Sequence, residues 1–164
     1  MPDLPLKRSF APVVFRDTRL LVLGSLPGEM SLAAARYYAN PRNQFWPLMG
    51  DVIGRSLVPL GYEQRLSALL EAGVGLWDTV GSGHRTGSLD GNIRLQEAND
   101  LAALVSSLPE LRAVAFNGGK SASIGRRQLA GHKIQLVDLP SSSPAYTLAF
   151  EAKREAWLQL RRFV

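Results

Sequence analysis

The sequence predicts an α/β fold, a three-layer αβα sandwich around a central, mainly parallel sheet of four strands. Three observations carry that prediction. Short apolar runs alternate with stretches of helical periodicity along the chain. Each apolar run ends in a glycine-, asparagine- or proline-bearing loop. Strands that alternate with helices pair in parallel, because each helix is the crossover between two of them.

The first apolar run is Arg19 to Leu23, which stops at Gly24. It reads as a buried strand, and Gly24-Ser-Leu-Pro-Gly28 follows as a tight turn that lets the backbone approach a ligand. Glu29 to Arg36 is a short helix. Tyr37 to Gln44 is a polar, aromatic loop broken by Pro41. Phe45 to Ile53 is helical, with Pro47 tolerated in its first turn. Glu63 to Ala72 repeats leucines at helical spacing and ends at Gly73. Val74 to Trp77 is a second strand, and Gly81 to Ser88 is a glycine-rich loop. Leu95 to Leu108 reads as one amphipathic helix carrying Leu95, Ala98, Leu101, Ala102, Val105 and Leu108 on a stripe. Arg112 to Phe116 is a third strand running into Asn117-Gly-Gly119. Lys120 to Leu129 is a helix, Ile134 to Val137 a fourth strand, and Leu139 to Ala145 a second tight loop. Thr147 to Arg162 closes the chain as a helix. Ligands of such sheets bind outside the carboxyl ends of the strands, so the loops at Gly24, Asp78, Asn117 and Leu139 are expected at one edge.

At 164 residues the chain fits one domain, 1–164, with no internal linker or repeat. Its net charge is +5, which favours a polyanionic partner through counterion release. It has no cysteine, which excludes thiol nucleophiles, disulfides and thiolate metal sites and fits the cytoplasm. His84 and His132 stand far apart, a poor basis for a metal site, so no metal or cofactor is expected. Met1 to Phe10 lacks the apolar core of a signal peptide, and no apolar run is long enough to span a bilayer.

Three segments carry chemistry. Gly24 to Gly28 lacks the Lys-Ser/Thr pair of a phosphate loop. Asn40-Pro-Arg-Asn-Gln-Phe-Trp46 sets amides and a guanidinium beside two aromatics, one to anchor the helix and one to offer a flat face to a base. Leu139-Pro-Ser-Ser-Ser-Pro-Ala145 is small, stiff and hydroxyl-rich, and such a loop can approach phosphates. Lys120 and Arg85, with Arg126 and Arg127, are candidates to hold the backbone. Asp78, if ionised, only accepts hydrogen bonds, so it would favour a ligand edge that presents an N–H over one that presents a bare ring nitrogen.

In this order the segments resemble the uracil-DNA glycosylase superfamily, above all its hypoxanthine-DNA (deoxyinosine) glycosylase branch, with the mismatch-specific uracil enzymes next. The resemblance runs from about Val13 to Trp157. Gly75 to Asp78 and Thr86 to Ile93 resemble the base-reading strand and the loop after it. The resemblance implies a monomeric, monofunctional glycosylase of base-excision repair that hydrolyses the N-glycosidic bond of a deaminated base in DNA. It also implies Asn43 as the catalytic amide that orients water, with Asn40 as a second candidate. Ser25, Leu26, Asn40, Phe45 and Asp78 would meet the base, with Phe45 beneath it. Ser141, Ser142, Ser143 and Pro144 would meet the DNA. Two departures stand out. Leu26 occupies a position where many members carry an acid or Asn, and Leu139 one where many carry His. Both argue for hypoxanthine over uracil. A lesion-binding module without catalysis and a small-molecule nucleotide enzyme remain rival readings.

Overall fold

A computed structural model describes residues 4–164, so the start of the Met1 to Phe10 segment lies outside the described residues. Four strands form the central sheet: β2 (Leu20–Gly24), β3 (Val74–Asp78), β6 (Ala113–Asn117) and β7 (Gln135–Leu139). Their order is β3-β2-β6-β7 and every pairing is parallel. Leu20 to Leu23 have no exposed surface, as expected of a strand covered on both faces.

Side-chain alternation along these strands feeds two cores. Leu20 and Val22 pack with α2 (Phe45–Ile53), α3 (Tyr62–Glu71) and α6 (Phe150–Trp157). Leu21 and Leu23 pack with α4 (Leu101–Ser106) and α5 (Gly119–Leu129). The result is the predicted three-layer sandwich. A short α1 (Glu29–Ala34) follows β2, and a 3-10 segment, Leu158–Phe163, extends α6.

A second sheet was not expected. β1 (Leu6–Arg8), β4 (Val80–His84) and β5 (Arg94–Ala98) pair antiparallel in the order β1-β4-β5. This corrects two expectations. The glycine-rich stretch after Asp78 begins as a strand: Gly83 lacks the Cβ that would stand 2.8 Å from Ile93 Cγ2, so β5 and its loop pack close. The helix expected from Leu95 begins only at Leu101. The Asp100 carboxylate caps it, accepting from the Ala103 N–H at 3.0 Å, and Leu95 is 83% exposed. The apparent stripe crossed a strand, a cap and a helix.

Strand register sets the working edge. Gly24 lies opposite Asp78, and Asn117 opposite Leu139. The four loop-bearing strand ends therefore meet at one edge, as the parallel topology requires. α6 braces the last of these loops: Trp157 Nε1 donates to the Pro140 carbonyl at 2.9 Å, and Lys153 Nζ to the Ser143 carbonyl at 3.2 Å.

Candidate active site

The strand ends enclose a cavity of about 460 Å³. Ser25, Leu26, Asn40, Asn43, Asp78, Ser141, Ser142, Ser143 and Pro144 all line it. Phe45, Lys120 and Arg85 do not.

Gly24 brings the first loop against β3. A Cβ on it would stand 2.6 Å from Asp78 Oδ1 and 3.2 Å from the Tyr38 hydroxyl. The loop is pinned by backbone bonds from Thr79 and Val80 N–H to the carbonyls of Gly24 and Ser25. Leu26 turns its side chain into a small apolar cluster with Val80 and Ile93, while Ser25 Oγ donates to Asp90 Oδ1 at 2.6 Å.

The aromatic floor differs from expectation. Phe45 is fully buried, and Tyr38 stacks on it with centroids 3.8 Å apart and planes 11° off parallel. The face read as free on Phe45 is covered by Tyr38, which itself lines the cavity, as Tyr37 and Tyr146 do. Tyr38 sits at φ 53°, a left-handed backbone uncommon for a bulky residue. Its hydroxyl lies 3.3 Å from Asn117 Nδ2, and burial raises its pKa.

Three side chains lock the far wall. Asn117 Nδ2 donates to Ser142 Oγ at 2.9 Å, and Asn117 Oδ1 accepts from the Ser142 N–H at 2.9 Å. Ser142 Oγ in turn donates to Asn43 Oδ1 at 2.7 Å, and the same oxygen accepts from the Phe45 N–H at 3.0 Å. A backbone N–H only donates, so the Asn43 atom it meets is the oxygen. Both acceptor positions of that oxygen are taken, which corrects the expectation that it orients water. Asn43 presents its amide N–H₂ to the cavity instead. Asn40 Oδ1 accepts from the Arg42 N–H at 3.0 Å and shapes the turn.

Two basic and hydroxyl expectations change as well. Arg85 has no exposed surface. Its guanidinium donates to the carbonyls of Gly87 at 2.8 Å, Leu26 at 3.4 Å and Pro27, so it fastens the first loop and cannot reach a phosphate. Ser142 is 1% exposed with its hydroxyl committed, so it holds the wall while Ser141, Ser143 and Pro144 remain accessible. Lys120, the second residue of α5, is half-buried, and its charge opposes the burial that raises the pKa of Asp90. Arg126 is tied to Asp138 at 2.9 Å.

Three carboxyl groups line the cavity, Glu29, Asp78 and Asp90, and Glu29 is paired with Lys7 at 3.2 Å. Asp78 is 4% exposed and its Oδ2 has no hydrogen-bond partner. Burial first, then the charge of Asp90, pushes its pKa well above the ordinary carboxylate range, against the pull of Arg85. Asp78 therefore holds a proton more readily than an ordinary carboxyl group, and whenever it does it can donate as well as accept, beyond the acceptor-only role expected of its ionised form. Asp90 also has a raised pKa from burial, moderated by Ser25, Arg85 and Lys120. Sequence reasoning missed Tyr38, Asp90 and Asn117 as site residues. Asn117 carried a signal as the last residue of a strand ending at the shared edge, and Asp90 lay within the Thr86 to Ile93 segment without being singled out.

The sequence profile of the uracil DNA glycosylase superfamily matches residues 12–161. The chain belongs to that superfamily. Two relatives called "Hypoxanthine DNA glycosylase" are similar over 93% of this chain and 96% of their own lengths. The one from Methanosarcina acetivorans is 38% identical over 152 residues, and the one from Methanosarcina barkeri 37% over 154. A solution NMR structure from Methanosarcina acetivorans, provisionally assigned as a uracil DNA glycosylase, superposes with a TM-score of 0.87 at 37% identity. The match covers 96% of this chain and 98% of that one. Within the superfamily fold, Leu26 thus leaves the first loop without a polar side chain at the cavity next to Ser25. Among the described residues no helix is long and apolar enough to cross a membrane, and no three His, Asp or Glu side chains gather as a metal site.

Proposed function

We propose that the chain is a monofunctional DNA glycosylase that hydrolyses the N-glycosidic bond of hypoxanthine flipped out of DNA. The observation that carries the choice of base is the orientation of Asn43. Its N–H₂ faces the cavity with no partner in the protein, because its oxygen is held by Ser142 and Phe45. An amide N–H₂ donates to a carbonyl at position 6 of a purine and opposes the amine that adenine carries there. A site built around a hydrogen bond rejects a partner that leaves its donor unpaired. The names of the relatives support the same reading.

The remaining roles follow from position. The base slides over Tyr38, where stacking contributes about 1–3 kcal/mol. Flipping costs a few kcal/mol and less at a mispaired base, so deaminated adenine opposite thymine is favoured before any contact is made. Bond cleavage places positive charge on the sugar and negative charge on the base. Donors fixed in advance, the Asn43 amide foremost, stabilise that charge without reorganising. Ser141, Ser143 and Pro144 form one lip of the cavity against the DNA backbone, and Lys120 adds positive charge nearby. The protein acts as one domain, a monomer in the cytoplasm, without metal or cofactor.

The test uses duplexes carrying a single hypoxanthine, uracil or xanthine, followed by alkaline cleavage of abasic sites. Strand breaks at hypoxanthine that weaken in Asn43→Leu, with adenine untouched in both, support the proposal. Breaks at uracil alone, or undiminished breaks in Asn43→Leu, overturn it.

A further inference from the structure

We propose that Asp90 and Asp78 form an acid–base pair, in which Asp90 takes the proton of the attacking water and Asp78 gives its own proton to the departing base. The inference rests on the glycosylase reading above and deepens it.

The first loop holds no acid, since Leu26 is turned into an apolar cluster. Asp90 restores one from the neighbouring loop. It lines the cavity, and Ser25 Oγ fixes its Oδ1 at 2.6 Å, immediately beside the position that Leu26 leaves apolar. Its Oδ2 makes no hydrogen bond to protein and is available to a water. Asp78 stands at the end of β3, wedged against Gly24, with an unpartnered Oδ2 and 4% exposure. The two carboxyls therefore differ in surroundings. Asp90 has a hydroxyl donor and faces the charges of Arg85 and Lys120, whereas Asp78 has no donor and feels the negative charge of Asp90 beside Tyr37 and Tyr38. Glu29, the other carboxylate on the cavity, is held by Lys7 at 3.2 Å and takes no part. Paired carboxyls whose surroundings push their affinities for a proton apart divide into base and acid.

The step balances. The water oxygen bonds to C1′ of the sugar as its proton passes to Asp90. The C1′–N9 bond breaks, its electron pair leaves with the purine, and the Asp78 proton goes to a ring nitrogen of that purine. The products are an abasic sugar and the neutral base. The proton then on Asp90 exchanges with solvent, and Asp78 recovers one.

Single-turnover excision from a hypoxanthine duplex, followed from acid to alkaline pH, tests the pair. The wild type should give a bell-shaped profile, because the base must be ionised and the acid protonated. Asp90→Asn should lose about 10²–10⁴-fold in rate and its acidic limb. Asp78→Asn should lose the alkaline limb. Both should still bind a duplex carrying a non-cleavable 2′-fluoro inosine, which shows that they are folded. Ser25→Ala, which removes the bond that keeps Asp90 ionised, should move the acidic limb to higher pH. It decides the matter should Asp90→Asn not fold. An Asp90→Asn rate within about tenfold of wild type, or limbs unchanged in these variants, overturns the pair. If the wild type releases another base, the function proposed above fails, and the same profiles on that base judge the pair separately. Release of no base overturns both.

Discussion

Replacing Arg85 by methionine separates a fastening role from a phosphate contact. The guanidinium donates to three carbonyls, two of them strongly: Gly87 at 2.8 Å and Pro27. The bond to Leu26, at 3.4 Å, adds little. A hydrogen bond from a charged donor contributes about 1.5–3 kcal/mol, so the two strong ones amount to about 3–6 kcal/mol. Methionine fills part of the space and spares the desolvation of a buried cation, which offsets some of that loss. A net destabilisation of about 3 kcal/mol remains, a fall in Tm of about 6–12 °C for a chain of this size. Urea and thermal melts measure it. Arg126→Met is the control, since its exposed pair with Asp138 contributes at most about 1 kcal/mol. DNA binding should keep its salt slope in Arg85→Met. Unchanged stability together with a slope reduced by about one would refute the fastening role, because that is the mark of a lost phosphate contact.

Three further outcomes are expected. Tyr38→Ala should weaken binding to a lesion duplex by about 1–3 kcal/mol in equilibrium titrations, while Tyr38→Phe keeps most of the affinity. Ser142→Ala should lower single-turnover excision by at least about tenfold by freeing Asn43, whereas Ser143→Ala should alter affinity more than rate. For Asp78, burial raises the folded pKa above the unfolded value of about 3.9, so the folded state binds a proton that the unfolded state releases. Stability therefore falls as pH rises from the unfolded pKa to the folded one, by at most about 1.4 kcal/mol per pH unit. Melts of Asp78→Asn should show that slope flattened and a higher Tm at neutral pH, a difference that closes in acid.

The central sheet was legible because parallel strands buried on both faces are written as apolar runs. Leu20 to Leu23 and Ala113 to Phe116 announce themselves, and α2 begins and ends where its pattern does. The small sheet was hidden for the opposite reason. β4 is built on Gly81 and Gly83, and β5 is exposed throughout, so neither carries a strand pattern. Leu95 then matched a helical stripe by accident, with Asp100 as the overlooked cap. At the site, Asn43 and Asp78 lay on recognisable segments, but their working atoms did not. Which end of the Asn43 amide is free depends on Ser142, about a hundred residues away in sequence. Phe45 is covered because Tyr38, seven residues earlier, stacks on it at the cavity, and no local pattern marks that stacking. Asp90 sits in a loop of glycine, serine and asparagine with no periodicity, and only its bond to Ser25 sets it apart.

The brace from α6 to the serine loop has a consequence for the order in which the protein is made. Trp157 and Lys153 hold the Pro140 and Ser143 carbonyls, and that loop holds Asn43. During synthesis the central sheet can pair as soon as β7 leaves the ribosome, and Asn117 can then take Ser142, yet the Pro140 and Ser143 carbonyls stay unbraced until α6 docks. A nascent chain can therefore hold its paired sheet before both flanks of its serine loop are braced, and the wall that carries Asn43 stiffens only once α6 has docked.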